Sequence, residues 1–235
     1  MKLIKSKTQP NIDAVDKLRV LDMGCGYGGL LRRLWKDGLV WRAAGCDYSH
    51  GMCRGARRVN ARVGAQKDIK ILEESYLDVS LPDESVDLVI SMDALLHVGP
   101  DGQKIAIQEA CRVLRPGGWM IFSDIMQEEV VDVEEMQPIY NRINLSKMGT
   151  PSHYKECLEA NGFTNYTFTP NSSNVSTHYG TVREVLLEKK DKINVSPEFV
   201  SKMESGLKVW HELAPKNIVW GLMAAQKTIE VSKSC

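Results

Sequence analysis

A glycine-rich segment that follows an apolar run is the strongest sign of chemistry in this sequence. Residues 20–29 read VLDMGCGYGG, and an acid, Asp22, precedes the first of the four glycines by two residues. Glycine permits positive φ angles and a close approach of the backbone to a ligand. The spacing of Gly24, Gly26 and Gly29, with Asp47 18 residues further on, matches the fingerprint of dinucleotide-binding domains. A tight strand–helix turn without a ligand is the plainer alternative.

Two features of the sequence argue against a dinucleotide. Asp22 would repel a pyrophosphate, whereas it suits a ligand that carries an amino group. The segment LRPGG at residues 114–118 precedes the fifth predicted strand. As an ordered set, Asp22, the glycines, Asp47 and LRPGG resemble the class I S-adenosylmethionine-dependent methyltransferases over residues 19–124. A nucleotide-dependent oxidoreductase becomes the last of the alternatives.

The resemblance implies a role for each matching residue. Asp22 lies near the methionine amino group of the cofactor, and Asp47 accepts hydrogen bonds from both ribose hydroxyls. Met52 packs on adenine, with a plain core position as its alternative, and Ser75 departs from the acid that many relatives carry at its position. The predicted cofactor-binding residues are Asp22, Gly24, Gly26, Gly28, Asp47, Tyr48, Met52, Ser75, Tyr76 and Met92.

The second half of the chain gives a narrower resemblance. The segments that carry it are SMDALLH at 91–97, QPIYNRINL at 137–145, MG at 148–149, HY at 178–179 and VWGLM at 219–223. Together they are similar to the sarcosine/dimethylglycine N-methyltransferases, which make glycine betaine. The resemblance implies a small acceptor that pairs an amine with a carboxylate.

The residue types in these segments suit such an acceptor. A fixed guanidinium holds a carboxylate well, and Arg142 is the candidate, with an exposed surface charge as the alternative. An amine that becomes a quaternary cation favours aromatic faces, here those of Tyr140, Tyr179 and Trp220, each of which is otherwise a core residue. The predicted catalytic residues are His178, His97 and Tyr179. The two histidines are candidates for proton removal, because histidine is the residue type that takes up a proton near neutral pH.

Other readings of the chain stay open from sequence alone. The acceptor could instead be an acid with a sulfur or oxygen nucleophile, a phosphobase or a lipid-like alcohol. The relatives carry a sizeable segment before the first strand that helps to cover the cofactor, whereas 18 largely polar residues precede Arg19 here. A non-catalytic interaction protein with the methyltransferase fold is therefore a further alternative.

The elements that must position these residues follow from the hydrophobic pattern. Short apolar runs at 19–22, 41–46, 69–72, 86–91 and 119–124 alternate with helical spacing at 30–37, 51–63 and 104–114. Such alternation is typical of a doubly wound parallel sheet. The resemblance implies an α/β, Rossmann-like sheet of seven strands, mostly parallel with an antiparallel last strand.

The second half continues the same domain. We predict a helix over 130–148, a helix over 152–161 stopped by Gly162, a strand over 163–169, a loop over 171–177 and a final strand over 218–227. A stripe of Phe199, Met203, Leu207 and Trp210 predicts a helix opened by Ser196 and Pro197. Residues 1–18 form a short polar segment, and 19–235 one domain, with a cofactor-binding half at 19–124 and a substrate-side, capping half at 125–235.

Composition sets limits on partners and location. The chain has 30 basic and 30 acidic residues, which argues against nucleic-acid binding by bulk electrostatics. No uninterrupted apolar run exceeds four residues, too short for a membrane span. Six cysteines without C-x-x-C spacing, and no secretory signal, indicate reduced thiols and a cytoplasmic location. We expect a small-molecule substrate, no metal, no membrane or nucleic-acid partner, and a monomer or homodimer.

Overall fold

The computed structural model describes residues 17–229, so most of the predicted polar segment at 1–18 lies outside the described residues. Seven strands form one sheet in the order β3-β2-β1-β4-β5-β7-β6. Their bounds are β1 Leu18–Met23, β2 Val40–Asp47, β3 Ile69–Glu73, β4 Val86–Met92, β5 Leu114–Gln127, β6 Phe163–Pro170 and β7 Ile218–Lys227. Residues 17–229 thus contain the predicted number of strands.

The direction of the strands also agrees with the prediction. Strands β1 to β5 pair in parallel, and β7 runs antiparallel to both of its neighbours, β5 and β6. The strand order reverses between β1 and β4, where the chain returns to the centre of the sheet. Ligands bind at such a reversal, outside the carboxyl ends of the strands. The doubly wound fold with an antiparallel last strand is confirmed.

Helices pack against both faces of the sheet. They are α1 Gly29–Lys36, α2 His50–Val63, α3 Gly99–Val113, α4 Val133–Ile143, α5 Pro151–Ala160, α6 Ser173–Lys189 and α7 Pro197–Asn217, with short 3₁₀ turns at Leu95–Val98 and Lys190–Lys192. Helices α1 and α2 contact β2 and β3, while α3 contacts β5 and α5. None of the helices between residues 17 and 229 combines the length and apolar character that a bilayer span requires.

The capping half differs from the sequence prediction in two places. The helix predicted over 130–148 is shorter, since it begins after Asp132 and ends at Asn144, whose φ of 57° is left-handed. The loop predicted over 171–177 is wrong, because helix α6 starts at Ser173. Only Val175 of α6 is buried, so the helix has almost no apolar periodicity to reveal it. Contacts with α7 hold it in place.

The α6–α7 hairpin rests on polar contacts as well as apolar ones. Arg183 donates from Nε to Glu204 Oε1 at 2.9 Å, and Ser176 Oγ lies 2.9 Å from the carbonyl oxygen of His211. The predicted stripe on α7 is confirmed at Leu207 and Trp210, which are 4% and 2% exposed. Helices α4, α6 and α7, with β7, form a third apolar cluster beyond the two cores that flank the sheet.

Candidate active site

The glycine loop after β1 has the left-handed backbone conformations that its sequence predicts. Gly24, Gly26 and Gly28 have φ angles of 75°, 51° and 71°. A side chain at Gly24 would also overlap the Cβ of Ala94, which follows β4. By contrast, nothing lies within 4 Å of the place a Cβ would take at Gly26. The loop therefore packs against β4 at one glycine and leaves open space above another.

The N–H groups of this loop point into the protein. The amides of Gly24 and Cys25 both donate to the carbonyl oxygen of Cys46, at 2.9 and 3.0 Å. The amide of Gly26 donates to Asp47 Oδ2 at 2.9 Å. Pyrophosphate binding needs such amides free at a helix N-terminus. The amides of residues 24–26 are therefore already hydrogen-bonded within the protein.

Asp22 lies beneath the loop and is only 3% exposed. Burial, together with the nearby Asp47 carboxylate, raises the pKa of its carboxyl to about 7. A buried carboxyl with a pKa near neutrality becomes a good partner for a cation that arrives at this place. This agrees with the role that the resemblance gives Asp22, beside an amino group.

Asp47 ends β2 and is held by two backbone donors. Its Oδ1 accepts from Ser49 N and its Oδ2 from Gly26 N, both at 2.9 Å. An ionised carboxylate has further lone pairs, so both oxygens remain available to a diol. Tyr48 and Met52, which follow β2, and Met92, which ends β4, are 87%, 36% and 56% exposed. Exposed apolar side chains beside a polar cradle fit the adenosine of S-adenosylmethionine.

Ser75 and Tyr76 follow β3 and shape the adjacent turn. Ser75 Oγ accepts from the amide of Leu77 at 3.1 Å, which is a local contact. The Tyr76 hydroxyl donates to the carbonyl oxygen of Ala94 at 3.0 Å, and burial raises the pKa of this phenol. Tyr76 thus joins the loop after β3 to the loop after β4. The adenine contacts of both residues remain predictions.

A cleft of about 1010 Å³ opens between the carboxyl edge of the sheet and helices α4, α6 and α7. Five of the predicted acceptor-site residues lie on its wall: His97, Arg142, His178, Tyr179 and Trp220. Residues from four separate stretches of the chain meet there, and the remaining predicted residue, Tyr140, does not. The narrower family resemblance therefore picked out residues that converge in space.

Tyr140 lies in the core behind the cleft and is 1% exposed. Its hydroxyl donates to Gln127 Oε1 at 2.8 Å, and the same oxygen accepts from the amide of Met148 at 2.8 Å. Burial raises the pKa of this phenol. The structure therefore corrects the prediction that Tyr140 faces the acceptor, because its ring faces α7 and the sheet instead, where it anchors α4.

Asp93 is an acid of the cleft wall that lies in the SMDALLH segment but has no predicted site role. It follows β4 with a φ of 50°, a left-handed conformation that aspartate adopts more readily than most residues. Its Oδ1 accepts from Ser123 Oγ at 2.9 Å and from Trp220 Nε1 at 2.8 Å. The carboxylate is thus held in one orientation on the wall. Its position at the carboxyl end of a central strand was the available signal.

Tyr179 lies near one negatively charged and one positively charged side chain. Its ring stacks on Trp210 with centroids 5.0 Å apart, and His178 meets it edge-on at 5.1 Å. Burial raises the pKa of its phenol, the Asp93 carboxylate raises it further, and the Arg142 guanidinium lowers it. The cleft therefore carries a negative and a positive group near one aromatic ring.

Arg142 lies in the last turn of α4 and is exposed to the cleft. Within residues 17–229, its side-chain contact of hydrogen-bonding type is with Met203 Sδ, 3.9 Å from Nη2. No carboxylate of the described chain forms an ion pair with it. Its charge is therefore available to an anionic ligand. His97 and His178 are likewise exposed on the wall.

Comparisons with known proteins agree with this geometry. A methyltransferase domain model matches residues 21–122. A sarcosine/dimethylglycine N-methyltransferase from Halorhodospira halochloris is 36% identical over 212 residues, 88% of this chain and 75% of that protein. A dimethylglycine N-methyltransferase from Parasynechococcus marenigrum is 33% identical, over 88% of this chain and 74% of that protein.

A solved structure of a similar protein gives the same result in three dimensions. The crystal structure of a Galdieria sulphuraria protein assigned to the sarcosine dimethylglycine methyltransferases superposes with a TM-score of 0.85 at 30% identity, over 90% of this chain and 79% of that one. The fold and most of the chain length are shared. This chain therefore belongs to the family of sarcosine/dimethylglycine N-methyltransferases, enzymes that take their methyl group from S-adenosylmethionine.

Proposed function

We propose that the chain methylates the amine of sarcosine and then of dimethylglycine, which yields glycine betaine. One observation carries the choice of acceptor: the cleft wall holds Asp93 and Arg142, both close enough to Tyr179 to shift its pKa. A small amino acid has one charge of each sign. The names of the relatives support the same acceptors.

Arg142 receives the carboxylate of the acceptor. Its guanidinium is a planar donor that matches a carboxylate with two parallel hydrogen bonds. Since no described carboxylate competes for it, the acceptor does not have to displace an internal partner. Binding at this end fixes the orientation of a molecule only a few atoms long, and orientation is worth much in a displacement reaction.

Asp93, Tyr179 and Trp220 receive the amine end. The Asp93 carboxylate attracts the ammonium form of the acceptor, and the aromatic faces attract a cation that has no N–H to donate. Both attractions persist in the quaternary product. When bound, S-adenosylmethionine supplies an electrophilic methyl group, and Asp22, Asp47 and the glycine loop are the residues that hold it.

The amine must lose its proton before it can accept a methyl group, because only the free base has a lone pair. His97 and His178 lie on the cleft wall and have the residue type that accepts a proton near neutral pH. Asp93 Oδ1 already accepts two hydrogen bonds, from Ser123 and Trp220, so it serves to hold charge. We assign proton removal to the histidines.

Acceptor competition tests this proposal. The purified chain and S-adenosylmethionine are assayed with sarcosine, dimethylglycine, dimethylaminoethanol and phosphoethanolamine. We expect turnover with the two amino acids, and little with the amino alcohol that has an alcohol in place of the carboxylate. Equal kcat/KM for dimethylglycine and dimethylaminoethanol would refute the carboxylate site, and preference for phosphoethanolamine would identify a phosphobase enzyme.

The variant Arg142→Ala tests the residue assignment. Loss of a charge-assisted pair costs about 1.5–3 kcal/mol, so the KM for dimethylglycine should rise roughly tenfold or more. The kcat should change less, because the contact exists in both the ground state and the transition state. Arg62→Ala, on the exposed last turn of α2, is the matched control. An unchanged acceptor KM in Arg142→Ala would exclude this arginine.

A further inference from the structure

Arg142 lies against a glycine of the neighbouring helix α7. Gly206 is buried in the middle of that helix, beside the cleft. A Cβ added there would lie 2.8 Å from Arg142 Nε and would overlap the rest of the guanidinium. Among real side chains such separations essentially never occur. Any residue other than glycine at position 206 would therefore move Arg142.

A glycine at this position lowers the stability of helix α7. In a helix interior it is less favourable than alanine by roughly 0.5–1 kcal/mol, because it loses more backbone freedom on folding. Gly206 has a helical conformation, without a positive φ angle. Backbone geometry thus gives no reason for a glycine, and the space taken by the Arg142 guanidinium is the reason that the contacts show.

We propose that Gly206 is a positioning residue for the acceptor: its missing side chain makes the seat in which the Arg142 guanidinium lies against α7 and faces the cleft. This deepens the proposed function and rests on it for the identity of the anion. A guanidinium held against α7 loses less conformational entropy when a carboxylate binds than a mobile one would. Without the seat, Arg142 still carries its charge but no longer presents it at a fixed place.

The surroundings of the seat agree with an anion-binding end of the cleft. Lys202 and Ser205 of α7 line the same cleft, and Asn141 lines it from α4. Asp93 comes from the opposite element, at the end of β4. The cleft therefore has a positively charged end at α4 and α7 and a negatively charged group at the end of β4. Gly206 holds the Arg142 guanidinium at the positive end.

A double-mutant cycle tests the seat. We expect Gly206→Ala to raise the KM for dimethylglycine roughly tenfold, with the KM for S-adenosylmethionine and the kcat within twofold of the parent values. In an Arg142→Ala background, the same glycine substitution should have no further effect on the acceptor KM. Equal fold-changes in both backgrounds would overturn the proposal, because Gly206 would then act independently of Arg142.

Two further measurements separate this inference from its premise. Gly180→Ala is the matched control, since a Cβ there would press on His211 of α7 at 2.9 Å without touching Arg142. We expect it to leave the acceptor KM unchanged. A crystal structure of Gly206→Ala should show the guanidinium displaced from α7, and an undisplaced Arg142 would overturn the seat. The position of Arg142 can be read from this structure even if the wild-type chain does not methylate dimethylglycine. That result would refute the proposed function but not the role of Gly206.

Discussion

Asp22 and Asp47 are two acids at one edge of the sheet with different surroundings. Asp22 is almost fully buried, and burial raises the pKa of its carboxyl to about 7. Asp47 is partly exposed, and two backbone amides donate to its oxygens. The first is suited to meet a cationic group, and the second is fixed as a double acceptor. The two aspartates thus have different roles, because one is buried and the other accepts hydrogen bonds from backbone amides.

The raised pKa of Asp22 predicts that cofactor affinity depends on pH. If only the ionised carboxylate attracts the amino group, the dissociation constant for S-adenosylhomocysteine should fall about fivefold between pH 6 and pH 7. Titration calorimetry at both pH values measures this. Asp22→Asn, which cannot ionise, should bind more weakly and with little pH dependence. The same fivefold change in that variant would assign the titration to another group.

Helix α4 depends on one capping residue. Asp132 accepts hydrogen bonds from the amides of Glu134 and Glu135, at 2.9 and 3.2 Å, and a carboxylate at this end also complements the helix dipole. Arg142 lies in the last turn of the same helix. The cap therefore stabilises the element that carries the proposed carboxylate site.

Loss of this cap should be measurable as stability. We expect Asp132→Ala to lower the free energy of unfolding by about 1 kcal/mol, the usual cost of removing a capping side chain. Urea denaturation followed by circular dichroism measures it. Asp132→Asn keeps a capping oxygen and should lose much less. An equal loss in both variants would point to the charge as the cause, and no loss in either would show that the cap is dispensable.

The elements differ in how far sequence could predict them. The strands of the first half and helix α7 carry strong apolar patterns, so they could be predicted, with Ser196 capping α7 through Phe199 N. Helix α6 could not, because a single residue, Val175, is buried along its 17 residues. Tyr140 and Asp93 show the same limit in the site. Tertiary packing decides which way an aromatic ring faces. It also decides where the carboxylate of an aspartate with a left-handed backbone conformation points.

At the scale of the whole molecule, the acceptor cleft joins parts of the chain that are far apart in sequence. The hydrogen bond from Trp220 to Asp93 spans 127 residues and ties β7 to the end of β4. The predicted cofactor-binding residues, by contrast, lie at or shortly after the ends of the first four strands. An ordered series of short motifs is therefore enough to predict them, whereas the residues of the cleft wall come together only in the folded chain.

Buried acids also determine how the stability of the whole molecule depends on pH. Asp124 of β5 is fully buried and accepts a hydrogen bond from the Tyr154 hydroxyl. The pKa of its carboxyl is raised to about 8, mainly by burial; the Tyr154 hydrogen bond acts in the opposite direction, and the Asp93 carboxylate adds to the rise. Asp22, with a pKa of about 7, behaves in the same way. Both groups hold a proton in the folded protein at pH values where the unfolded chain has lost it.

The sign of the effect follows from these two pKa values. An unfolded aspartate titrates near 3.9, so the stability that each protonated group retains below that pH is lost as pH rises towards 7 or 8. We expect the free energy of unfolding to fall between pH 5 and pH 7, by at most about 1.4 kcal/mol per pH unit for each group. Urea titrations at pH 5, 6 and 7 measure the slope. Asp124→Asn should reduce it, whereas Asp101→Asn, at an exposed position, should not. If Asp124→Asn left the slope unchanged, the carboxyl would be ionised in the folded protein across this range, and a partner other than Tyr154 would have to compensate its charge.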